Sequence, residues 1–205
     1  MNRRLYFWTV PILLGTAAAT ASAQTWYDPF DSYNPGRLAA QSDWEEWTGS
    51  SGVDGQVSPL ASFSEPYSAL ITSKPDGGPG DDVVYDFKNL SGGQPQTGTW
   101  ALSTRVFVPS AATGTAFYIM LNSYPASRNW SVQIRLDADA GRVQTDSDGA
   151  GDLPLIKNEW VDLVVCIDLQ QDRVDIWYGL DQLVKDASWT CGTGTPCGDL
   201  AIACL

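Results

Sequence analysis

The stretch that most constrains this chain is residues 159–178, Glu-Trp-Val-Asp-Leu-Val-Val-Cys-Ile-Asp, Leu-Gln-Gln-Asp, Arg-Val-Asp-Ile-Trp-Tyr. In an extended chain, successive side chains point to opposite faces. Val161, Leu163, Val165 and Ile167 therefore share one face, and Trp160, Asp162, Val164, Cys166 and Asp168 the other. After the polar break at 168–172, Val174, Ile176 and Tyr178 alternate with Arg173, Asp175 and Trp177. β-Branched content is high, and the break suits a short loop between antiparallel strands. The pattern predicts a β-hairpin with one apolar and one mixed face. Such a hairpin is not stable alone, so a sheet must surround it and a second layer must cover its apolar side.

The chain opens with a basic tetrapeptide, an apolar run over 5–14, and Ala21-Ser22-Ala23 before Gln24. That order predicts a secretory signal peptide over residues 1–23, leaving 24–205 as the mature domain. The apolar run is too short to span a bilayer comfortably, and Pro11 and Gly15 interrupt it. The expected location is secreted, extracellular or periplasmic, with no membrane insertion after cleavage. The whole sequence has 24 Asp and Glu against 12 Lys and Arg, a formal net charge of −12, and loss of Arg3 and Arg4 makes the remainder more acidic. Such a surface disfavours nucleic acid and anionic membranes and favours neutral ligands or divalent cations.

The 4 cysteines all lie late: Cys166, Cys191, Cys197 and Cys204. Export permits disulfides. Cys191-Gly-Thr-Gly-Thr-Pro-Cys197 is a short flexible loop closed by two thiols, and a Cys191–Cys197 bridge is expected. Cys166, mid-strand, is either a buried free thiol or a partner for Cys204. Zinc is discounted, because there are no Cys-x-x-Cys pairs and no His.

Further strands are predicted over 53–63, 67–73, 83–87, 100–108, 116–124, 129–137 and 142–145. They are separated by Gly, Pro and Asp turns such as 34–36, 74–82 and 91–98. No amphipathic helix, tandem repeat or interdomain linker is visible. Many short strands at this spacing predict one all-β, two-sheet antiparallel sandwich or jelly roll.

Three segments carry a family resemblance. Ser64-Glu-Pro-Tyr-Ser-Ala-Leu-Ile71 is similar to the strand opening of secreted jelly-roll modules. Trp100-Ala-Leu-Ser-Thr-Arg-Val-Phe-Val-Pro109 and Trp160-Val-Asp-Leu-Val-Val-Cys-Ile-Asp168 look like the paired strands that come after it. With Asp28-Pro-Phe-Asp31 near the mature start, the order resembles a bacterial laminin G-like domain of the concanavalin A-like lectin/glucanase superfamily, over nearly the whole mature chain. The resemblance implies a jelly-roll fold and a structural calcium that Asp28 and Asp31 would join. It also implies a returning last strand. The chain stops instead inside the apolar run Leu200-Ala-Ile-Ala-Cys-Leu205, so a domain lacking its last strand is expected, with an open edge prone to pairing.

Catalysis finds little support. Carbohydrate-cleaving relatives need paired carboxylates on one strand face, but Glu45, Glu46, Glu65 and Glu159 form no Glu-x-Asp-x-x-Glu run. Val132-Gln133-Ile134-Arg135 is similar to the Gln-Ile-His strand of jelly-roll alginate lyases, with Arg135 in the histidine's place. The absence of His removes Ser-His-Asp and Cys-His chemistry. An enzyme is not expected, with a polysaccharide hydrolase or lyase kept as an alternative. Binding is better supported. With apolar faces inward, Arg105, Tyr118, Asn122, Gln133, Arg135, Asp175 and Trp177 are expected on the polar face. There, rings would stack on sugars, and amide or guanidinium groups would bond hydroxyls. Trp130, in phase with Val132 and Ile134, is expected in the core. The expected partner is an extracellular polysaccharide or glycan, or alternatively a cell-surface protein for an adhesive module. Asp146-Ser-Asp148-Gly-Ala-Gly-Asp152 reads as a β-turn before it reads as a calcium loop. Asn89-Leu-Ser91 and Asn129-Trp-Ser131 match the glycosylation sequon.

Overall fold

A computed structural model describes residues 26–39, 41–47, 54–72, 80–146, 151–192, 197–203 and 205. The predicted signal peptide, the centre of the 146–152 loop and Cys204 lie outside the described residues. No described helix is long and apolar enough to cross a membrane.

The fold is an all-β sandwich built from antiparallel sheets. Four short strands come first: β1 (Gly36–Arg37), β2 (Trp44–Glu46), β3 (Gln56–Ser58) and β4 (Ser68–Leu70). Then come β5 (Val83–Tyr85), a 3-10 turn (Phe87–Asn89), β6 (Thr99–Phe107), β7 (Thr115–Ser123), β8 (Asn129–Asp137) and β9 (Arg142–Thr145). The series closes with β10 (Asp152–Pro154), β11 (Trp160–Asp168), β12 (Arg173–Tyr178) and β13 (Asp181–Ser188). One layer has the order β13-β12-β11-β6 and the other β10-β9-β8-β7, while β1-β3-β4 and β2-β5 form smaller sheets.

The hairpin β11–β12 is the centre of its layer. Val165 lies opposite Ile176, and on β11's other side opposite Leu102 of β6. Its alternating face fills the core: Leu163, Val165, Ile167, Val174 and Ile176 have no exposed surface. Met120, Val132, Ile134 and Val143 meet them from the second layer, equally buried. Burying each such side chain contributes about 1.5–3 kcal/mol, and this shared core is what holds the two sheets together.

Three expectations are corrected. The C-terminal apolar run is not an open edge. Its described residues Ala203 and Leu205 lie between β7 and the β5 end of the chain's short sheet, where Ala203 N donates to Leu121 O (2.8 Å), Phe87 N to Ala203 O (2.8 Å) and Tyr85 N to Leu205 O (2.8 Å). Burial drives this placement, since Ala201, Ile202 and Ala203 are each at most 7% exposed. Tyr118 and Asn122 point into the core (9% and 0% exposed), not to the outer face. The alternation of β7 misleads because both its faces are apolar: its outer side has a cluster of its own, in which Val84 and Leu121 pack with Trp47, Ile119 and Tyr124. Trp130, expected in the core, is 39% exposed. Between Val132 (opposite Met120) and Trp130 (opposite Leu121) the β7–β8 ladder skips Ser131, and between Leu121 and Ser123 it skips Asn122. A bulge of this kind reverses the facing of the residues beyond it.

Candidate functional site

The predicted site residues are distributed over three places. Tyr118 and Asn122 are in the core. Arg105, Asp175 and Trp177 lie on the outer face of the β6–β13 layer, in phase with Asp162, Cys166 and Val164. Gln133 and Arg135 lie on the outer face of the β7–β10 layer, on the far side of the sandwich. No single groove unites them.

On the β6–β13 face the polar groups are mostly engaged with one another. Arg105 Nε donates to Asp162 Oδ1 (2.8 Å) while its guanidinium carbon sits 3.7 Å from the centre of the Phe63 ring. Asp175 Oδ1 accepts from Gln182 Nε2 (3.1 Å) and Asp186 N (3.0 Å). Cys166 is a free thiol, so the Cys166–Cys204 bridge is not formed. Burial, and then the carboxylate of Asp175 opposite it, pushes this thiol's pKa up. A thiol held protonated is a poor nucleophile.

The β7–β10 face has a different character. Phe117, Arg135, Gln144 and Asp152 stand in one row across β7, β8, β9 and β10, with Gln133 opposite Ile119 in the next. Arg135 Nη2 donates to Gln144 Oε1, and Gln133 Nε2 to Asp146 Oδ2. Arg135 Nε is shielded from solvent and has no acceptor among the described residues. Asp152 accepts from Arg142 Nε (2.7 Å). That hydrogen bond, with the positive charge behind it, holds the Asp152 carboxyl below the usual range. Two large rings are accessible on this face: Phe117, within the row, is 52% exposed, and Trp130, beyond Gln133 and opposite Leu121, is 39% exposed. Beyond Trp130 the face continues to Trp47 and Tyr124, whose ring centroids are 5.4 Å apart. Planar donors and acceptors bracketed by accessible rings are what a sugar needs, since hydroxyls bond the planar groups and the C–H faces stack on the rings.

Sequence reasoning missed Phe117, Trp130 and Gln144. Gln144 was readable, because strict alternation over 142–145 puts it on the face opposite Val143. Trp130 was not, because nothing in Asn-Trp-Ser announces a bulge.

Asp28 serves the aromatic corner. Asp28 accepts from Phe30 N (3.0 Å), Trp44 Nε1 (2.8 Å) and the Tyr33 hydroxyl. Burial, together with that bond to Asp28, pushes the Tyr33 phenol up to about 12. Asp31 Oδ1 is buried without a partner among the described residues. Among the described residues, no group of three or more His, Cys, Asp or Glu side chains could hold a metal ion. The Cys191–Cys197 disulfide is formed, with Cα atoms 4.3 Å apart.

In comparisons with known proteins, no protein-family model and no curated protein matches the chain.

Proposed function

We propose that this protein is a secreted, non-catalytic module of the laminin G-like type that binds an extracellular glycan. Its binding surface is the outer face of the β7–β10 layer, and the observation that carries the reading is the Phe117–Arg135–Gln144–Asp152 row with exposed Trp130 further along the same face, beyond Gln133. The ligand face is thus narrower than the sequence implied: Gln133 and Arg135 remain, while Arg105, Asp175 and Trp177 belong to the opposite side.

A glycan array probed with the secreted protein tests this. Trp130→Ala, Gln133→Ala and Arg135→Ala should each weaken the bound signal, by about tenfold where a ring or a charged hydrogen bond is lost. Trp177→Ala, on the other face, should bind as the wild type. Loss of binding only in Trp177→Ala, or no binding to any glycan, would overturn the assignment.

A second reading, adhesion to a cell-surface protein, is favoured by one observation at the end of the β6–β13 layer. Phe63, Phe107 and Trp160 form a chain of ring contacts (6.1 and 5.4 Å), with Phe63 55% exposed and Leu60 82% exposed nearby in sequence. Aromatic side chains rimmed by polar groups are the usual anchors of protein interfaces. Capture of a surface protein, abolished by Phe63→Ala and untouched by Trp130→Ala, would favour it.

A further inference from the structure

Trp130 reaches the outer face because a bulge at Ser131 interrupts the β7–β8 ladder, and a second bulge, at Asn122, lies on the other side of the Leu121–Trp130 pair. Regular pairing from Val132 onward would aim Trp130 inward with Ile134. Both extra residues are fully buried, and Ser131 Oγ and Asn122 Oδ1 lack partners among the described residues. Buried polar groups without partners are costly. The bulged register therefore needs support from elsewhere.

That support comes from the segment around the Cys191–Cys197 disulfide, which lies against the bulges on their inner side. Thr190 O accepts from both Asn122 Nδ2 (3.2 Å) and Gly198 N (2.9 Å). The residue after each cysteine is a glycine that touches one bulge. A Cβ at Gly198 would stand 1.9 Å from Asn122 Oδ1, and one at Gly192 would stand 1.9 Å from the Ser131 carbonyl oxygen. The segment is in turn tied to the opposite layer. Asp172, in the turn between β11 and β12, accepts from Thr190 N (2.7 Å) and Thr190 Oγ1 (3.0 Å), and Ser188 Oγ accepts from Cys191 N (3.0 Å).

We propose that the Cys191–Cys197 disulfide is a positioning element for the binding face: it clamps Gly192 and Gly198 onto Ser131 and Asn122 and so holds Trp130 outward. The bond makes the face sensitive to thiol redox state. A dithiol reductant breaks the S–S bond, two S–H groups form, and the reductant leaves as its own disulfide. The clamp then opens and Trp130 loses its fixed presentation. This inference rests on reading that face as the binding face, but its test needs no glycan.

The test compares the oxidised protein, the same protein after dithiothreitol, and the Cys191→Ser/Cys197→Ser variant. When the bond is absent, amide hydrogen exchange over residues 119–123 and 129–133 should quicken at least about tenfold more than exchange over residues 163–167 and 174–178, which share only the loss of global stability. Acrylamide quenching of indole fluorescence, taken as the difference between wild type and Trp130→Phe, should change between oxidised and reduced protein. Gly198→Ala should reproduce both effects with the disulfide intact. Exchange and Trp130 quenching that ignore the redox state would overturn the proposal. So would exchange that quickens equally in both layers, which would make the bond a general staple.

Discussion

Tyr118 is a polar-tipped residue that the core has taken in. Its hydroxyl has only a 3.5 Å contact from Thr104 Oγ1, too long for a strong hydrogen bond. Burial pushes its phenol up to about 12 from an ordinary 10.0. Because the folded value is the higher one, the stabilisation is fully present below pH 10 and is lost as pH rises towards 12. Tyr118→Phe should flatten that alkaline decline by up to about 2 kcal/mol at about pH 11.5, and should change neutral-pH stability by less than about 1 kcal/mol. Denaturant titrations from about pH 7 to about pH 11.5, spanning the ordinary phenol range, would measure both. The raised Tyr33 phenol should leave part of the decline in place. Gly151 makes a second residue-scale case. A Cβ there would fall 1.6 Å from the Leu183 carbonyl oxygen, backbone that cannot step aside. Gly151→Ala should cost at least about 1–3 kcal/mol in the same titration. Asp28 has three of its acceptor positions filled by protein donors. Chelation with EDTA should therefore leave the midpoint of thermal unfolding unchanged; a clear drop would restore the calcium site implied by the family resemblance.

Among the elements, those with a strong period of two were legible in the sequence. Residues 159–178 became β11 and β12 almost to the residue, because one apolar face and a polar turn leave few alternatives. Residues 129–137 and 142–145 became β8 and β9 with the bounds their alternation predicts. β13 was not foreseen. Asp-Gln-Leu-Val-Lys-Asp-Ala-Ser carries two register shifts against β12, so Leu183 and Val184 are both buried and the alternation is broken. β10 ends in Pro154, which is tolerated only because that strand lies at the sheet edge. Within the proposed binding face, the outward placement of Trp130 was illegible for the same reason as β13. A bulge re-aims a side chain through backbone register, and the contacts at these bulges come from far along the chain: Gly192 closes on Ser131 and Gly198 on Asn122. The disulfide also acts on stability. Closing a loop with a sequence separation of 6 should contribute about 2 kcal/mol by restricting the unfolded chain. Cys191→Ser/Cys197→Ser should lower the unfolding free energy by about that amount.

At the scale of the whole molecule, a sandwich has two outer faces, and sequence parity cannot say which outward residues share one. Trp177 and Gln133 look equivalent along the chain, yet they stand on opposite layers. The whole molecule carries an acidic excess; on the β7–β10 face Arg142 is paired with Asp152, Asp146 accepts from Gln133, and Arg135 stands among Gln144 and Phe117. Neutral hydroxyl-rich ligands fit that local balance better than the net charge alone would say. The most direct test is amide chemical-shift mapping of the isotope-labelled protein, titrated with whichever polysaccharide binds it on the array. Perturbations should concentrate on Phe117, Trp130, Gln133, Arg135 and Gln144. A map centred instead on Arg105, Asp175 and Trp177 would contradict the account.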